Sequence, residues 1–436
     1  MTGDAVASVL LAGLPLLGAL LSLALWSQPD KLRICSIATA VISVGAVVGL
    51  SGYMTGPTEG LLFVYLLPIA AVASLLGQPV HPLHRSPWIM TLVFLGLGLG
   101  VLTNRGPAEQ MFMIAIVGLA AALLYRHHTP LWPMSWWGIG LFILGLASAG
   151  TSLLADPPLS SVASVLSCAI LLPLVPLHGG YLAALTRLPG NLPPFLAVLL
   201  PAAGLHGLAS VIQTVPESVA GGITVLAVGS GVYGAVKALA QSRVRLRLAY
   251  GSLSFFSILW WFMAAARGMT PSAAVFVGAV ALVTSGLLVS WQVVRTRYGD
   301  DVDPQSISGL ASAMPSYAVL LSLLALAAIG LPPLGVFAGF VGLLLSTPVS
   351  FSIVILIILL VWLAASWYIL DMVQRLLFGT RRSDLRYTDL RRDELASLLL
   401  VVLALLVLGV IPAHLVGPGT MTPTTTTDTG SFAWKK

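Results

Sequence analysis

The chain alternates between apolar runs of about 20 residues and short polar or proline-containing connections. A helix needs about 20 apolar residues to cross the hydrocarbon layer of a membrane. The pattern therefore predicts an all-α polytopic membrane protein with about fourteen transmembrane helices, in a single transmembrane domain over 1–416 and with a polar, Thr-rich tail at 417–436. The predicted spans are 5–26, 32–55, 60–77, 87–104, 107–126, 135–154, 159–177, 192–214, 218–241, 249–268, 271–294, 312–346, 350–378 and 395–416.

Two of these spans carry proline where a helix should be continuous. Pro201 lies in the middle of one span, and Pro332 and Pro333 interrupt another. Proline removes a backbone hydrogen bond and clashes with the preceding turn. A pair of proline-interrupted spans in the two halves of a chain is typical of a transport site between inverted repeats. We expect both helices to be broken; the alternative at each position is an ordinary proline kink.

Composition supports the membrane interpretation. Of 436 residues, 58% are hydrophobic and 8% are charged, against about 25% charged in soluble domains. This excludes a soluble enzyme and a disordered chain. Cys35 and Cys168 have no spacing typical of a metal site, and no cofactor is expected. Four tryptophans near span ends are expected at the membrane–water interface: Trp136, Trp137, Trp260 and Trp261.

The charged residues predict the orientation of the chain. Sixteen of the 21 Lys and Arg residues fall in the connections after odd-numbered spans, so that face is expected in the cytoplasm. Both termini, Asp156 and the connection with Glu109 are then outside, and 375–392 is inside. The net charge of +6 is thus a topology signal and does not indicate nucleic-acid binding. Asp371 and Arg375, four residues apart, predict an ion pair on one helix.

Three stretches carry a resemblance to a known family. They are LLPLVPLHGGYLAALTRLPGNLPPFLAVLLPAAGLHG (171–207), GGITVLAVGSGVYGAVKALAQSRVRLRLAYGSLS (221–254) and AAIGLPPLGVFAGFVGLL (327–344), the last followed by WYILDMVQRLLFG (367–379) and RRDELASLLLVVLALLVLGVIPAHL (391–415). In order and spacing they resemble the antiporter-like, proton-conducting membrane subunits of respiratory complex I, Mrp antiporters, hydrogenase-4-type enzymes and inorganic-carbon uptake complexes. The resemblance covers about 170–416.

The resemblance implies an antiporter-like bundle of fourteen helices with two inverted repeats, two broken helices and a central axis of Lys, Glu and His residues. The family's charged positions fall on apolar residues here, at about Phe63, Ala202 and Phe340. His178 remains in a Pro-Leu-His motif, and Arg245 stands where the family carries Lys. An arginine holds its charge but does not release a proton at working pH.

Four residues remain as candidates for a proton path, and each has a structural alternative. Lys237 is a candidate relay, or it snorkels to the cytoplasmic interface. His206 is a candidate shuttle, or a hydrogen-bonded packing residue. His178 and Arg245 are candidates by the resemblance, or an interfacial residue and a positive-inside anchor. Lys237 and His206 lie on consecutive spans that are expected to pack side by side, with the two groups more than about 10 Å apart in depth.

The leading interpretation is a non-redox membrane subunit of a larger ion-translocating complex, with a degenerate proton path and no catalytic chemistry of its own. Its partners would be other membrane or peripheral subunits, in a bacterial cytoplasmic membrane. A second interpretation is a working proton or cation conductor coupled to a partner such as an inorganic-carbon uptake protein. A third, of another class, is a standalone secondary transporter. The first two predict partner chains that co-purify, and the third predicts a functional monomer or homodimer.

Overall fold

The computed structural model describes residues 3–53, 58–79, 81, 84–127, 133–156, 159–298, 307–346, 353–379 and 388–410. These residues confirm the all-α fold, and the predicted tail at 417–436 lies outside them. The helices are α1 (Gly3–Ala24), α2 (Pro29–Leu50), α3 (Thr58–Leu76), α4 (Arg85–Thr103), α5 (Pro107–Arg126), α6 (Pro133–Leu154), α7 (Leu159–Leu171), α8 (Gly179–Arg187), α9 (Leu192–Val211), α10 (Glu217–Ala240), α11 (Val244–Ala266), α12 (Pro271–Tyr298), α13 (Leu310–Ala313), α14 (Pro315–Ile329), α15 (Gly335–Ser346), α16 (Ile353–Leu377) and α17 (Arg392–Val410).

Within these ranges, eleven helices are long and apolar enough to cross a membrane. The helices α3, α7, α14 and α15 are shorter and also apolar. When α7–α8 and α14–α15 are each counted as one interrupted span and the four-residue α13 is left out, the described chain contains fourteen segments. This matches the number of predicted spans, and that each segment crosses a membrane stays a prediction.

The core of the bundle is formed by α9, α11 and α12. In α11 and α12, 94% of the most apolar window is buried inside the protein, because both helices are apolar on every side. The helix α9 packs against α7 and α12, whereas α10 packs against α11 and α16. The predicted side-by-side packing of α9 and α10 is therefore wrong, because α11 and α12 lie between them.

Two predictions for α11, its start and the position of its tryptophans, are also wrong. The helix begins at Val244 and not near 249, so Arg245 and Arg247 lie in its first turn. Their long side chains reach polar groups while the backbone remains helical. Trp260 and Trp261 are buried in the core rather than placed at an interface, since α11 is central.

Ion pairs and a helix cap tie α12, α14 and α17 together at the end of the bundle that carries most arginines. The Arg297 guanidinium binds both carboxylate oxygens of Glu394, at 2.6 and 3.2 Å, and both side chains are buried. The Asp389 carboxylate accepts the backbone N–H groups of Ser316 and Tyr317 at the start of α14, at 2.8 and 3.3 Å. Burial alone would raise the pKa of Asp389, but these hydrogen bonds outweigh it and hold the pKa below its ordinary value.

Candidate functional site

The first interruption separates α7 from α8 between Leu172 and His178. The Trp260 indole Nε1–H of α11 donates to the Leu172 carbonyl oxygen at 3.0 Å. The Val175 backbone N–H donates to Ser230 Oγ of α10 at 3.0 Å. Unpaired backbone groups are costly at membrane depth, and side chains of two neighbouring helices supply the missing partners here.

The interruption predicted at Pro201 is wrong, because α9 continues through it from Leu192 to Val211. A single proline removes one backbone hydrogen bond and bends a helix, and α9 is held by neighbours on all sides. The segment that does break contains Pro173 and Pro176. Two prolines three residues apart were the stronger sequence signal.

This correction changes the symmetry of the bundle. The interrupted spans are the seventh and the twelfth, whereas placing the first break at Pro201 would make them the eighth and the twelfth. An odd separation gives the two spans opposite directions, as inverted repeats require. It also means that Ala202, next to Pro201, lies in an unbroken helix.

The second interruption lies where it was predicted. Residues 330–334, which include Pro332 and Pro333, separate α14 from α15. Gly330 has a left-handed φ of 80°, and its N–H and that of Leu331 donate to carbonyls of the last turn of α14. This is a glycine cap that satisfies the end of the helix.

Two close contacts hold this second break. A Cβ at Gly330 would overlap the Trp362 indole of α16. A Cβ at Gly409 of α17 would overlap the Pro333 carbonyl oxygen. Only a hydrogen fits at both positions, so α16 and α17 pack directly on the irregular backbone, while the side chains of residues 331–333 remain exposed.

His178, the residue before α8, lies beside two tyrosines and near Lys237. Its ring centre is 5.5 Å from that of Tyr233 and 6.2 Å from that of Tyr250. The Lys237 ammonium is 5.8 Å from the centre of the Tyr233 ring. We name these four residues the inner cluster. Sequence analysis identified His178 and Lys237 but missed the tyrosines; the signal was Tyr233, one helical turn before Lys237.

Arg245 and Arg247 of α11 have different partners. Arg245 Nη1 donates to the Thr186 carbonyl oxygen at the end of α8, at 3.3 Å. Arg247 is 9% exposed and pairs with Asp371 of α16 at 3.0 Å. The predicted Asp371–Arg375 pair is confirmed at 2.7 Å, so Asp371 holds two arginines. Sequence analysis counted Arg247 only as a loop charge and missed this buried contact.

His206 lies towards the other end of the bundle, with Glu109. His206 Nε2 is 3.2 Å from the Asn104 carbonyl oxygen. Glu109, counted with the connection charges although the predicted span 107–126 includes it, lies in the first turn of α5 and is 1% exposed. Its Oε1 makes no hydrogen bond to the described part of the chain, and the charge of Arg105 acts on both Glu109 and His206. We name Glu109, His206, Asn104 and Arg105 the outer cluster.

Along the chain, apolar residues lie between the parts of α7 that approach the two clusters. On α7, Cys168 packs against Gly207 of α9, one residue from His206. Leu171 and Leu172 follow, both fully buried, before the chain reaches His178. These leucines carry no group that can hold or pass a proton.

The positions at which the resemblance implies charged residues are also apolar. Phe63, Ala202 and Phe340 are all buried, and the ring of Phe340 stacks on Trp362 with centres 3.8 Å apart. Among the residues that the structure describes, no group of three His, Cys, Asp or Glu side chains could hold a metal ion.

A cavity of about 20 Å³ lies between α11, α12, α14, α15 and α16. Its lining includes Ser252, Thr284 and Tyr368, and Ser252 Oγ is 3.0 Å from the hydroxyl of Tyr181 on α8. A space of this size with polar groups can hold one water molecule. Three hydroxyl groups therefore lie among the mostly apolar side chains that line a space with room for water.

The comparison with protein families gives one model. The family described as NADH:quinone oxidoreductase/Mrp antiporter, transmembrane, matches residues 157–366. This range contains both interrupted spans and the inner cluster. No curated protein sequence matches the chain.

Solved structures share the fold over nearly the whole chain. A chain of respiratory complex I from Thermus thermophilus with bound NADH aligns with a TM-score of 0.76 and 22% identity, covering 94% of this chain and 96% of that one. A chain of the membrane-bound sulfane sulfur reductase, an archaeal respiratory membrane complex, aligns with a TM-score of 0.80 and 18% identity over 94% and 96%. A chain of the Mrp complex from Dietzia sp. DQ12-45-1b aligns with a TM-score of 0.75 and 14% identity over 95% and 96%. The resemblance inferred from sequence is confirmed.

Proposed function

Since the chain shares a family model and a fold with antiporter-like membrane subunits, we propose that it is a non-redox subunit of a multi-subunit ion-translocating complex with a degenerate proton path. Its main role is to hold partner subunits in the membrane and to close the bundle against uncontrolled ion flow. The proposal places it in a bacterial cytoplasmic membrane with both termini outside.

One observation carries this proposal: the two clusters of titratable groups are separated by leucines. Proton transfer through a hydrocarbon-like interior needs titratable groups or ordered water every few ångströms, and ionisable residues inside membranes are functional candidates by default. Here the outer cluster ends at His206 and the inner cluster at His178. Between them the described chain offers Leu171, Leu172 and a continuous α9.

The inner cluster still supports local proton exchange with the cytoplasm. Lys237 is exposed in the last turn of α10, next to Tyr233. Tyr233 contacts His178 ring to ring, so these three side chains follow one another from the surface to the first break. This series ends at His178 and has no charged continuation towards Phe340 or Ala202.

A working conductor is the second candidate function, and two observations favour it. Glu109 has a buried carboxylate oxygen without a partner among the described residues, and the hydroxyl-lined cavity at Ser252 and Thr284 has room for water. A water-filled state of the bundle would connect these groups. Such a subunit would couple proton or cation flow to a partner, of which an inorganic-carbon uptake protein is one example. A standalone transporter is the remaining alternative.

The proposal is tested by gentle extraction of the tagged chain with the subunits that remain bound to it, followed by reconstitution into proteoliposomes. We expect partner subunits in stoichiometric amounts. Proteoliposomes that hold the chain alone should show no proton flux above that of empty liposomes, measured with a pH-sensitive dye. Flux from the chain alone would overturn the degenerate path, and a functional monomer without partners would favour the standalone transporter.

A further inference from the structure

The cavity of about 20 Å³ between α11, α12, α14, α15 and α16 lies beside the second break. Its lining includes Ala328, two residues before Gly330, and Val336, two residues after Leu334. No member of the inner or the outer cluster is among the described residues that line it. A space of this size has room for one water molecule and for little else.

Two hydroxyl groups of the lining have already used their hydrogen atoms. Thr284 Oγ1 donates to the Val280 carbonyl oxygen at 2.8 Å, and Ser252 Oγ donates to the Ala249 carbonyl oxygen at 3.0 Å. Each hydroxyl has one hydrogen and two lone pairs, so the Tyr181 hydroxyl must donate the bond of 3.0 Å that joins it to Ser252. Thr284 and Ser252 both keep a lone pair, and each can only accept a further hydrogen bond.

Tyr368 of α16 adds a hydroxyl whose hydrogen is not yet used. This hydroxyl lies against the backbone of α11 at Gly251, where a Cβ would overlap it, and Gly251 precedes Ser252 in the chain. No hydrogen bond joins it to the part of the chain that the structure describes. The residue is 3% exposed, and a buried tyrosine hydroxyl ordinarily has a hydrogen-bond partner. The lining therefore offers one donor and two acceptors.

The charges near the cavity favour a neutral occupant. Arg247 lies one helical turn before Gly251, and its charge acts on Tyr368. Because Asp371 binds both Arg247 and Arg375, these three side chains together carry a net positive charge. The described lining contains no charged side chain, so a cation would be buried without a counter-ion, which is costly. An anion would find a single hydrogen-bond donor.

We infer that this cavity is a binding site for a single water molecule held by Tyr368, Ser252 and Thr284. The water accepts the Tyr368 hydrogen and donates one hydrogen to each of the other two oxygens, and three hydrogen bonds are the usual number for a buried water. It thereby joins α16 to α11 and α12 beside the second break. The hydrogens of Ser252 and Thr284 end on the Ala249 and Val280 carbonyl oxygens, which have no proton to pass on. The water is thus a structural component of the fold, whichever partner subunits the chain has.

The test is cryo-electron microscopy of the intact complex at a resolution that shows ordered water. We expect one density peak within about 2.5–3.0 Å of all three hydroxyl oxygens. Tyr368→Phe combined with Thr284→Val leaves Ser252 as the only partner, so the peak should be lost. The matched control combines Tyr317→Phe with Thr224→Val and should keep the peak. Tyr317 is also buried, Thr224 donates to a carbonyl one turn earlier as Thr284 does, and neither lines the cavity.

A second measurement needs no variant and separates water from an ion. The unmodified complex is prepared once in sodium chloride and once in choline chloride, and the peak should be the same in both. A peak that disappears without sodium would identify a bound cation, and a cavity without a peak in either salt would be a dry void. Either result would overturn the inference, as would a peak that survives in the test variant or is lost in the control.

Discussion

The exposed position of Lys237 does not by itself decide its role. Its side chain is exposed at the end of α10, as expected for a lysine that snorkels. The same side chain lies over Tyr233, which contacts His178. The geometry is compatible with an anchor and with the first member of a proton relay, and substitution distinguishes the two.

Replacing Lys237 with alanine should lower the proton-coupled activity of the intact complex by about tenfold without dissociating it, if any path survives. Lys237→Arg should not restore the activity, because arginine does not release its proton. The measurement is proton uptake in proteoliposomes, with subunit content checked by gel. Lys31→Ala, at another lysine on the predicted cytoplasmic face, serves as the control. Unchanged activity in Lys237→Ala would identify Lys237 as an anchor.

Arg247 should matter more for stability than its neighbours. Arg247→Met leaves Asp371 with only the more exposed Arg375, and a hydrogen bond to a charged group contributes about 1.5–3 kcal/mol. We expect a loss of unfolding free energy of this size, read from thermal unfolding in detergent. Arg375→Met, at a side chain 54% exposed, should cost well under 1 kcal/mol. Equal losses in the two variants would contradict the buried role.

At the scale of elements, the two breaks are held by different means. The first uses two hydrogen bonds, one that Trp260 donates to the interrupted backbone and one that Ser230 accepts from it. The second uses close packing at Gly330 and Gly409. The two breaks are therefore sensitive to different substitutions, the first to loss of a hydrogen-bond partner and the second to added volume.

Gly409→Ala should destabilise the protein, because its Cβ would overlap the Pro333 carbonyl oxygen and the backbone of Leu334. Overpacking of this kind costs about 1–3 kcal/mol. Gly229→Ala on α10 is the matched control, since nothing lies within 4 Å of its Cβ position. The two variants are compared by thermal unfolding and by monodispersity after extraction. A Gly409→Ala variant as stable as Gly229→Ala would show that α17 can move away from the break.

Asp389 should make the α14 end sensitive to acid. Because its pKa is lowered in the folded protein, its contribution to stability is fully present above the pKa of an unfolded aspartate, about 3.9. The contribution is lost as the pH falls through the lower, folded value. Asp389→Asn should cost about 0.5 kcal/mol at pH 7, since water still reaches this half-buried group and screens its charge. Thermal unfolding at several pH values should show this difference vanishing in acid; a constant difference would argue against the cap.

At the scale of the whole molecule, the orientation of the chain is open to a direct measurement. Cysteine substitutions at Asp156 and Ser242, both exposed, should be labelled from opposite sides of the membrane, with Asp156→Cys reached from outside. Cys35 and Cys168 are first replaced by serine and alanine. Labelling of both positions from the same side would refute the predicted topology.

Hydropathy alone was enough to predict the helical bundle and most of its spans, because each helix that crosses the hydrocarbon layer needs its own run of about 20 apolar residues. The second break was also predictable, since Pro332 and Pro333 adjoin a glycine that can end a helix. The first break was misplaced because Pro201 lies in the middle of a predicted span, whereas Pro173 and Pro176 lie at the end of the predicted span 159–177, where proline is ordinary. What distinguishes them is the partners, Trp260 and Ser230, which lie far away in the chain.

The candidate site was also predictable only in part, because the partners of its side chains lie far away in the chain. His178 and Lys237 stand out because charged or titratable residues are rare in apolar spans. Arg247 was taken for a loop charge, since a helix start cannot be placed within a turn from sequence. Glu109 was counted with the connection charges although the predicted span 107–126 includes it, and its burial was not foreseen. Their burial depends on helices distant in the chain, and no local pattern reports it.

The contact between α2 and α17 has a consequence for how the protein is made. Arg33 and Asp393 are 360 residues apart, and Ser397 donates to the Ala73 carbonyl oxygen of α3. At about 5–20 residues per second, roughly 20–70 s of synthesis pass before Arg33 meets its carboxylate. During that time α2 and α3 are in the membrane without the contacts that α17 later makes with them. A chain that stops before α17 would leave the surface of α2 and α3 that α17 covers exposed. Quality-control proteases of the membrane could recognise an unfinished subunit by this surface.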